Sequence, residues 1–148
     1  MTTLMKLAAG VRALAPTAQG WPIHVGRAVT KDGSPLSLPW AVMNFTAPNG
    51  THVSDSLPIT AGNAQLLITL AAASEDGCLV MLDAYTAAFD GVRPVVEGWN
   101  VGRFVRVGDS PAVAEDPTVP ATGAPIYFTK LLYRFTVSRL DYQEVTDG

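Results

Sequence analysis

Ile126-Tyr127-Phe128-Thr129-Lys130-Leu131-Leu132-Tyr133-Arg134-Phe135-Thr136-Val137-Ser138-Arg139-Leu140 is the stretch that organises the chain. Its odd positions are mainly apolar or aromatic, and its even positions are mainly basic or hydroxylic. Because successive side chains of a strand point to opposite faces, this alternation predicts a strand with one apolar and one basic, hydroxylic face. β-branched and aromatic residues favour the same structure. We expect this strand to be the scaffold of one sheet, and it is longer than the usual ~3–10 residues.

Two other segments have the apolar spacing of amphipathic helices. The first covers residues 4–14 and stops before Pro16, and the second follows Ser74 and reaches Phe89. Ser74 is a typical N-cap, and the two acids after it suit the positive end of a helix dipole. Asp90 and Gly91 then end the second helix. The sequence therefore predicts two helices.

Four shorter runs predict the remaining strands, at residues 21–27, 40–46, 65–71 and 101–107. Pro22 places the first run at a sheet edge or strand start. The third run is apolar on both faces, which predicts a central strand. The predicted order is α-β-β-β-α-β-β. The predicted fold is α+β, with a mixed or antiparallel sheet of about five strands, two helices packed on it and long loops. Residues 1–148 are predicted to form a single domain, with 141–148 as a polar tail.

Two loops stand out. The segment 108–125 contains four prolines and the acids Asp109, Glu115 and Asp116, and it exceeds the ~12–15 residues usual for loops in compact domains. We interpret it as a stiff arm that orders on a neighbouring molecule, and a surface loop is the alternative. The segment 31–39 is a second such candidate, because large apolar residues lie close to a turn there.

The composition limits the classes of function. Charged residues make up 16% of the 148 residues and hydrophobic residues 48%; ordinary domains have about 25% charged residues. Either the domain is compact and rich in alanine and valine, or much of its surface is buried against other subunits. The net charge of −3 gives no basic excess for nucleic-acid binding. Residues 1–54 carry four basic residues against one acid, and residues 55–97 carry six acids against one basic residue. This asymmetry suits head-to-tail contact between copies but also an ordinary mixed surface.

The sequence contains little that predicts chemistry. Cys78 is the single cysteine, which excludes an intrachain disulfide and a cysteine zinc site. No run reaches the ~20 apolar residues of a membrane span, and Lys6 interrupts any signal-peptide core. Ser110 lacks a nucleophile elbow, and neither His24 nor His52 has the context of a catalytic base. We therefore expect no enzyme, cofactor or metal; the acids of the 108–125 loop are interpreted as solvated rather than as cation ligands.

Surface contacts are the more informative prediction. Tryptophan is enriched at interface hot spots, and two of the three tryptophans border loops. If the last two strands pair, their basic residues are predicted to share a face that complements acidic segments of a neighbouring copy. The predicted subunit-interface residues are Leu36, Leu38, Trp40, Trp99, Arg103, Arg106, Asp109, Glu115, Asp116 and Arg134.

The layout resembles that of the tail terminator (tail completion) proteins of long-tailed, non-contractile bacteriophages. The shared features are an immediate N-terminal helix, the Leu38-Pro39-Trp40-Ala41-Val42 entry into a strand, and Ala71-Ala72-Ala73-Ser74 leading into the second helix. A Pro/Asp-rich loop then precedes a final strand with Tyr133-Arg134-Phe135-Thr136-Val137. The similarity covers nearly the whole chain and concerns layout rather than a diagnostic motif.

The resemblance implies a non-enzymatic virion protein that is assembled in the host cytoplasm and located at the head-tail junction. Such subunits form a hexameric ring on the head-proximal end of the tail tube, contact the tube protein and the head-tail connector, and let DNA pass through the channel. Another connector component, such as a head-closure protein, or a tail-tube subunit is the first alternative. A small ligand-binding domain or enzyme is the second.

Overall fold

The computed structural model shows one mixed sheet with both helices on the same side. It describes residues 3–26, 37–49, 61–108, 111–116 and 125–139. The elements are α1 (Thr3–Arg12), β1 (Ile23–Val25), β2 (Trp40–Asn49), β3 (Ala61–Ala72), α2 (Glu75–Phe89), β4 (Trp99–Val101), β5 (Val105–Arg106), β6 (Ala114–Glu115) and β7 (Tyr127–Arg139). The predicted α+β class is confirmed. The described residues form a sheet of seven strands rather than about five.

The scaffold role predicted for the long strand is confirmed by the pairing. One edge of β7 pairs with β3 along twelve residues, from Tyr127 to Ser138. The other edge is shared by β6, β5 and β4 in succession. β2 lies beyond β3, and β1 lies at the far edge. The β1–β2 pair is parallel and the other pairs are antiparallel, so the sheet is mixed. The predicted edge position of the first strand and central position of the third are both confirmed.

The single strand predicted over residues 101–107 is wrong, because the chain leaves β7 between β4 and β5. Val101 lies opposite Val137 and Val105 opposite Arg134, so one side advances four residues while β7 advances three. The extra residue is typical of a β-bulge. In the bulge, the Phe104 N–H donates to the Val92 carbonyl (3.0 Å) instead of to β7. The departure buries the Phe104 ring, which is 1% exposed.

The predicted 108–125 loop contains a short strand. Within it, β6 pairs with the start of β7, and the Asp116 N–H donates to the Ile126 carbonyl at 2.7 Å. The described part of the loop, residues 111–116, is therefore attached to the sheet of its own chain. Residues 109–110 and 117–124 lie outside the described residues, so the arm interpretation stays a prediction for them.

Both predicted helices are present. α1 ends at Arg12 rather than at Leu14, because Leu14 and Ala15 donate to carbonyls three residues back and tighten the last turn. Ser74 caps α2 as predicted: the Gly77 N–H donates to its Oγ at 3.0 Å. α2 stops before Gly91, whose φ of 68° is a backbone conformation that glycine adopts without strain. Within the described residues, neither helix is long and apolar enough to cross a membrane.

The main core lies between the helices and the sheet. Odd-numbered residues of β7 and even-numbered residues of β3 point into it. Leu66, Ile68, Tyr133 and Phe135 are among those that are at most 2% exposed. A chain of ring contacts crosses the core from α2 to β2. Its members are Trp21, Tyr85, Phe89, Tyr133, Phe104, Phe135 and Phe45. This aromatic packing fixes α2 on one side of the sheet.

Candidate functional site

The opposite side of the sheet, which we call the open face, is covered by neither helix. Its side chains alternate with those of the core along β2, β3 and β7. The pairing registers align them in four rows: Trp40-Ala71-Phe128, Val42-Thr69-Lys130, Asn44-Leu67-Leu132 and Thr46-Gln65-Arg134. None of these residues belongs to the core cluster between the helices and the sheet. The open face is therefore a second surface of the same strands, and its side chains are separate from the core.

One end of the open face is apolar. A pocket of about 270 Å³ lies there, lined by Trp40, Thr69, Ala71, Asp116, Ile126 and Phe128. The Trp40 and Phe128 side chains are half-buried, whereas Ala71 between them is fully buried. Trp40 and Asp116, two of the predicted interface residues, are thus brought together. An indole and a phenyl ring around one depression can receive an apolar group.

The other end of the open face is polar and basic. A shallow pocket of about 490 Å³ is lined by Asn63, Arg103, Val105, Arg134, Phe135 and Thr136. This brings together Arg103 and Arg134, both predicted interface residues. The Arg103 Nη1 donates to the Gly91 carbonyl at 2.9 Å, so its guanidinium is tied to the end of α2. Arg134 is exposed, and no other described side chain forms an ion pair with it. Arg134 is therefore more available than Arg103 to bind an anionic group of a partner.

Arg106 does not share that face, so the predicted grouping of the basic residues is wrong for it. Arg106 lies opposite Tyr133, which points into the core, because the bulge shifts the register after Arg103. Its Nη1 lies 3.8 Å from Asp90 Oδ2. The Tyr133 hydroxyl donates to the other oxygen of Asp90. Burial first, and then the hydrogen bond and charge of Asp90, raise the pKa of Tyr133, while Arg106 lowers it.

The other predicted interface residues are scattered. Trp99 is 4% exposed within its own chain, which leaves its indole little surface for a neighbour. Leu38 lines a separate pocket of about 300 Å³ with Trp21, Val80 and Met81, between the start of β2 and α2. Glu115 is exposed on β6. Leu36 and Asp109 lie outside the described residues.

The titratable groups of the described chain include two buried side chains, Cys78 and Tyr85. No group of three or more His, Cys, Asp and Glu side chains could hold a metal there. The Cys78 thiol is buried and donates to the Tyr127 carbonyl at 3.2 Å, and burial raises its pKa, which keeps it in the unreactive thiol form. Burial likewise raises the pKa of Tyr85 to about 12. Both side chains are fully buried in the core cluster.

The sequence-based interface prediction missed two sets of apolar residues, one on the open face and one on α2. The apolar open-face residues Leu67, Phe128 and Leu132 were not selected, because the pairing register that aligns them with Trp40 is not visible in the sequence. Leu79 and Val80 on α2 are 46% and 58% exposed. Their signal was present, since apolar residues that lie off the buried stripe of an amphipathic helix indicate a contact beyond the core.

Comparison with known proteins identifies a fold and no family. No protein-family model and no curated protein matches the chain. Four chains among solved structures do match. One of them, from a protein whose name describes no activity, aligns with 97% of this chain and 100% of its own at a TM-score of 0.62 and 14% sequence identity. At that identity the likeness shows a shared fold over the full length and nothing about function.

Proposed function

We propose that this chain is a phage tail terminator. In this role, copies of the chain form a ring, hexameric by the family resemblance, on the head-proximal end of the tail tube. The ring stops tube growth and presents a surface to the head-tail connector, and DNA passes through its channel. The protein would be located in the virion at the head-tail junction, after assembly in the host cytoplasm. It acts through contact surfaces, with no bond made or broken.

The open face is the observation that supports this proposal most strongly. A sheet that forms a core on one side needs no large apolar residues on the other side, and solvated faces are normally polar. Here Trp40, Leu67, Phe128 and Leu132 remain half-buried on the side without helices. Partly exposed apolar side chains on a sheet face that no helix covers fit a contact with another protein. The low charged fraction of the chain, 16%, points the same way.

Electron microscopy of the purified protein, alone and with polymerising tail-tube protein, tests the proposal. We expect closed rings of uniform diameter, and tubes that become shorter as the protein is added. Long tubes formed by the chain itself would favour the alternative of a tube subunit. Rings that bind the connector but leave tube length unchanged would favour a head-closure protein.

A pair of matched variants links the test to the open face. Leu132→Asp places a charge in the middle of that face and should abolish rings and tube shortening. Val95→Asp places the same charge on a residue that is 99% exposed and lies off the sheet, and it should leave both intact. If the two variants formed rings and shortened tubes equally well, the open face would not be the contact surface.

A further inference from the structure

We propose that the outer surface of α2 in one copy docks on the open face of the next copy, so that the subunits associate head to tail. This inference rests on the proposed ring function and names the two surfaces that would form the ring contact. The two surfaces have opposite charges, apolar centres and a similar spacing of their charged residues.

The first surface, the acidic patch, consists of Asp76, Leu79, Val80 and Asp83 on α2. All four residues are exposed. α2 has three acids, the third being Glu75, and no basic residue. The two carboxylates are seven residues apart and therefore lie on one side of the helix, with the two apolar residues between them. The patch reads acidic, apolar, acidic along the helix axis.

The second surface, the basic patch, consists of Lys130, Leu132 and Arg134 on β7 with Leu67 beside them on β3. Lys130 and Arg134 are exposed, and the two leucines are half-buried and directly opposite each other. β2, β3 and β7 contain no acidic residue. Asp116 borders the row of Phe128, so the positive charge is least compensated at Arg134. This patch reads basic, apolar, basic along the strand.

The two patterns match in length. Four residues of a strand separate Lys130 from Arg134 by about 13 Å, at ~3.3 Å per residue. Seven residues of a helix separate Asp76 from Asp83 by about 10 Å, at ~1.5 Å per residue. Long, flexible lysine and arginine side chains span the small difference. With α2 laid along β7, both ion pairs and the central leucine and valine contacts form together.

The positions of the patches require two copies. α2 is held on the core side of the sheet by Tyr85 and Phe89, so its outer surface and the open face point in opposite directions. A subunit cannot join its own two patches. Contact between unlike patches is heterologous, and such a contact gives a ring where the rotation closes. It also leaves one patch of each type at the ends of any assembly that does not close.

Complementary charge reversal tests the pairing. The first variant, Lys130→Glu with Arg134→Glu, makes both patches acidic and changes the net charge from −3 to −7. The second variant, Asp76→Lys with Asp83→Lys, makes both patches basic and changes the net charge from −3 to +1. Native mass spectrometry and sedimentation measure the mass of each variant alone and of the equimolar mixture. Circular dichroism verifies that both variants are folded.

Each variant alone should dissociate, with the Kd raised about 100-fold or more by like-charge contact. The mixture should regain the wild-type mass with the two variants in equal numbers. In an alternating assembly each acidic helix meets a basic sheet, and each basic helix meets an acidic sheet. A variant that keeps the wild-type mass alone, or a mixture that stays dissociated, overturns the pairing. So does a wild-type chain that remains monomeric up to its solubility limit.

The pairing and the proposed function fail in different ways. If rings still form in both charge-reversal variants, this contact is excluded but the terminator function is not. If rings form through this contact but neither bind tube ends nor shorten tubes, the terminator function is excluded and the contact is supported. The exchange Lys6→Glu with Glu97→Lys is the control: it swaps two charges on exposed side chains away from both patches at constant net charge, and it should leave the mass unchanged.

Discussion

The two faces of the sheet are built from the same three strands but differ in what covers them. On the core face, aromatic rings from β7, α2 and the segment after it contact each other, and Tyr85, Phe89 and Tyr133 are fully buried. On the open face, Phe128 and Leu132 remain half-buried. The strand alternation produces both faces, but the helices cover only one. This chain therefore has more apolar sheet surface than its own helices cover.

The largest expected effect comes from breaking the core face. Phe89→Ala removes a ring that contacts Tyr85, Phe104 and Tyr133 and is 0% exposed. The free energy of unfolding should fall by about 3–5 kcal/mol, the usual cost of a buried phenylalanine truncation. Urea unfolding at a concentration where the chain is monomeric measures this loss.

Phe128→Ala on the open face is the matched control. Its ring is only half-buried, so truncation in the monomer should cost about 1–2 kcal/mol, in proportion to the apolar area lost. The same variant should weaken self-association, which Phe89→Ala affects only through folding. Equal losses of stability for the two variants would mean that the open face is as tightly packed as the core face.

The bulge that separates β4 from β5 gives the next effect. A Cβ added at Gly102 would lie 2.3 Å from Thr136 Oγ1, on the open face of the edge strand. Gly102→Ala should therefore cost about 1–3 kcal/mol, as overpacking does. The double variant Gly102→Ala, Thr136→Ala should recover most of this loss, because the clashing oxygen is gone. Denaturant midpoints of the two single variants and the double variant give the coupling, and additive losses would exclude the contact.

The sequence predicted the long elements well and the edge of the sheet poorly. The alternation of β7 and the cap at Ser74 are local patterns, so they were readable without a structure. The split after Val101 depends on Phe104 leaving the strand to reach the core. β6 depends on a two-residue pairing inside a proline-rich loop. The split and β6 both depend on tertiary contacts, which override the local strand propensity.

The same limit explains the outcome for the candidate site. Trp40 and Arg134 were selected on residue type, and both lie on the open face. Arg106 was selected on the same ground, yet a one-residue shift of register placed it beside Asp90 on the core side. Because side chains alternate with a period of two, a single extra residue moves every later side chain to the other face. Faces beyond a bulge are therefore not predictable from spacing alone.

Alkaline pH should weaken the core face specifically. The Tyr85 hydroxyl is buried with no hydrogen-bond partner among the described residues, and burial raises its pKa from 10.0 to about 12. Above pH 10 the unfolded state loses this proton first, so the free energy of unfolding falls as pH rises, by up to about 1.4 kcal/mol per pH unit. Urea unfolding between pH 8 and 11.5 should show a steeper decline for the wild type than for Tyr85→Phe. Identical slopes would show that the phenol ionises without cost in the fold.

The smallest effect is expected from a charge pair that belongs to neither face. Lys6 Nζ lies 3.9 Å from Glu97 Oε1, and the two side chains are 44% and 87% exposed. Exposed pairs of this kind contribute only about 0.2–1 kcal/mol and are screened by salt. Lys6→Ala should thus change the free energy of unfolding by less than about 0.5 kcal/mol and leave self-association unaltered. Lys130→Ala on the open face should change stability as little but weaken self-association, in a manner that rising salt diminishes. If the two lysine variants assembled equally well, charge on the open face would have no special role, and the two faces would differ in apolar packing alone.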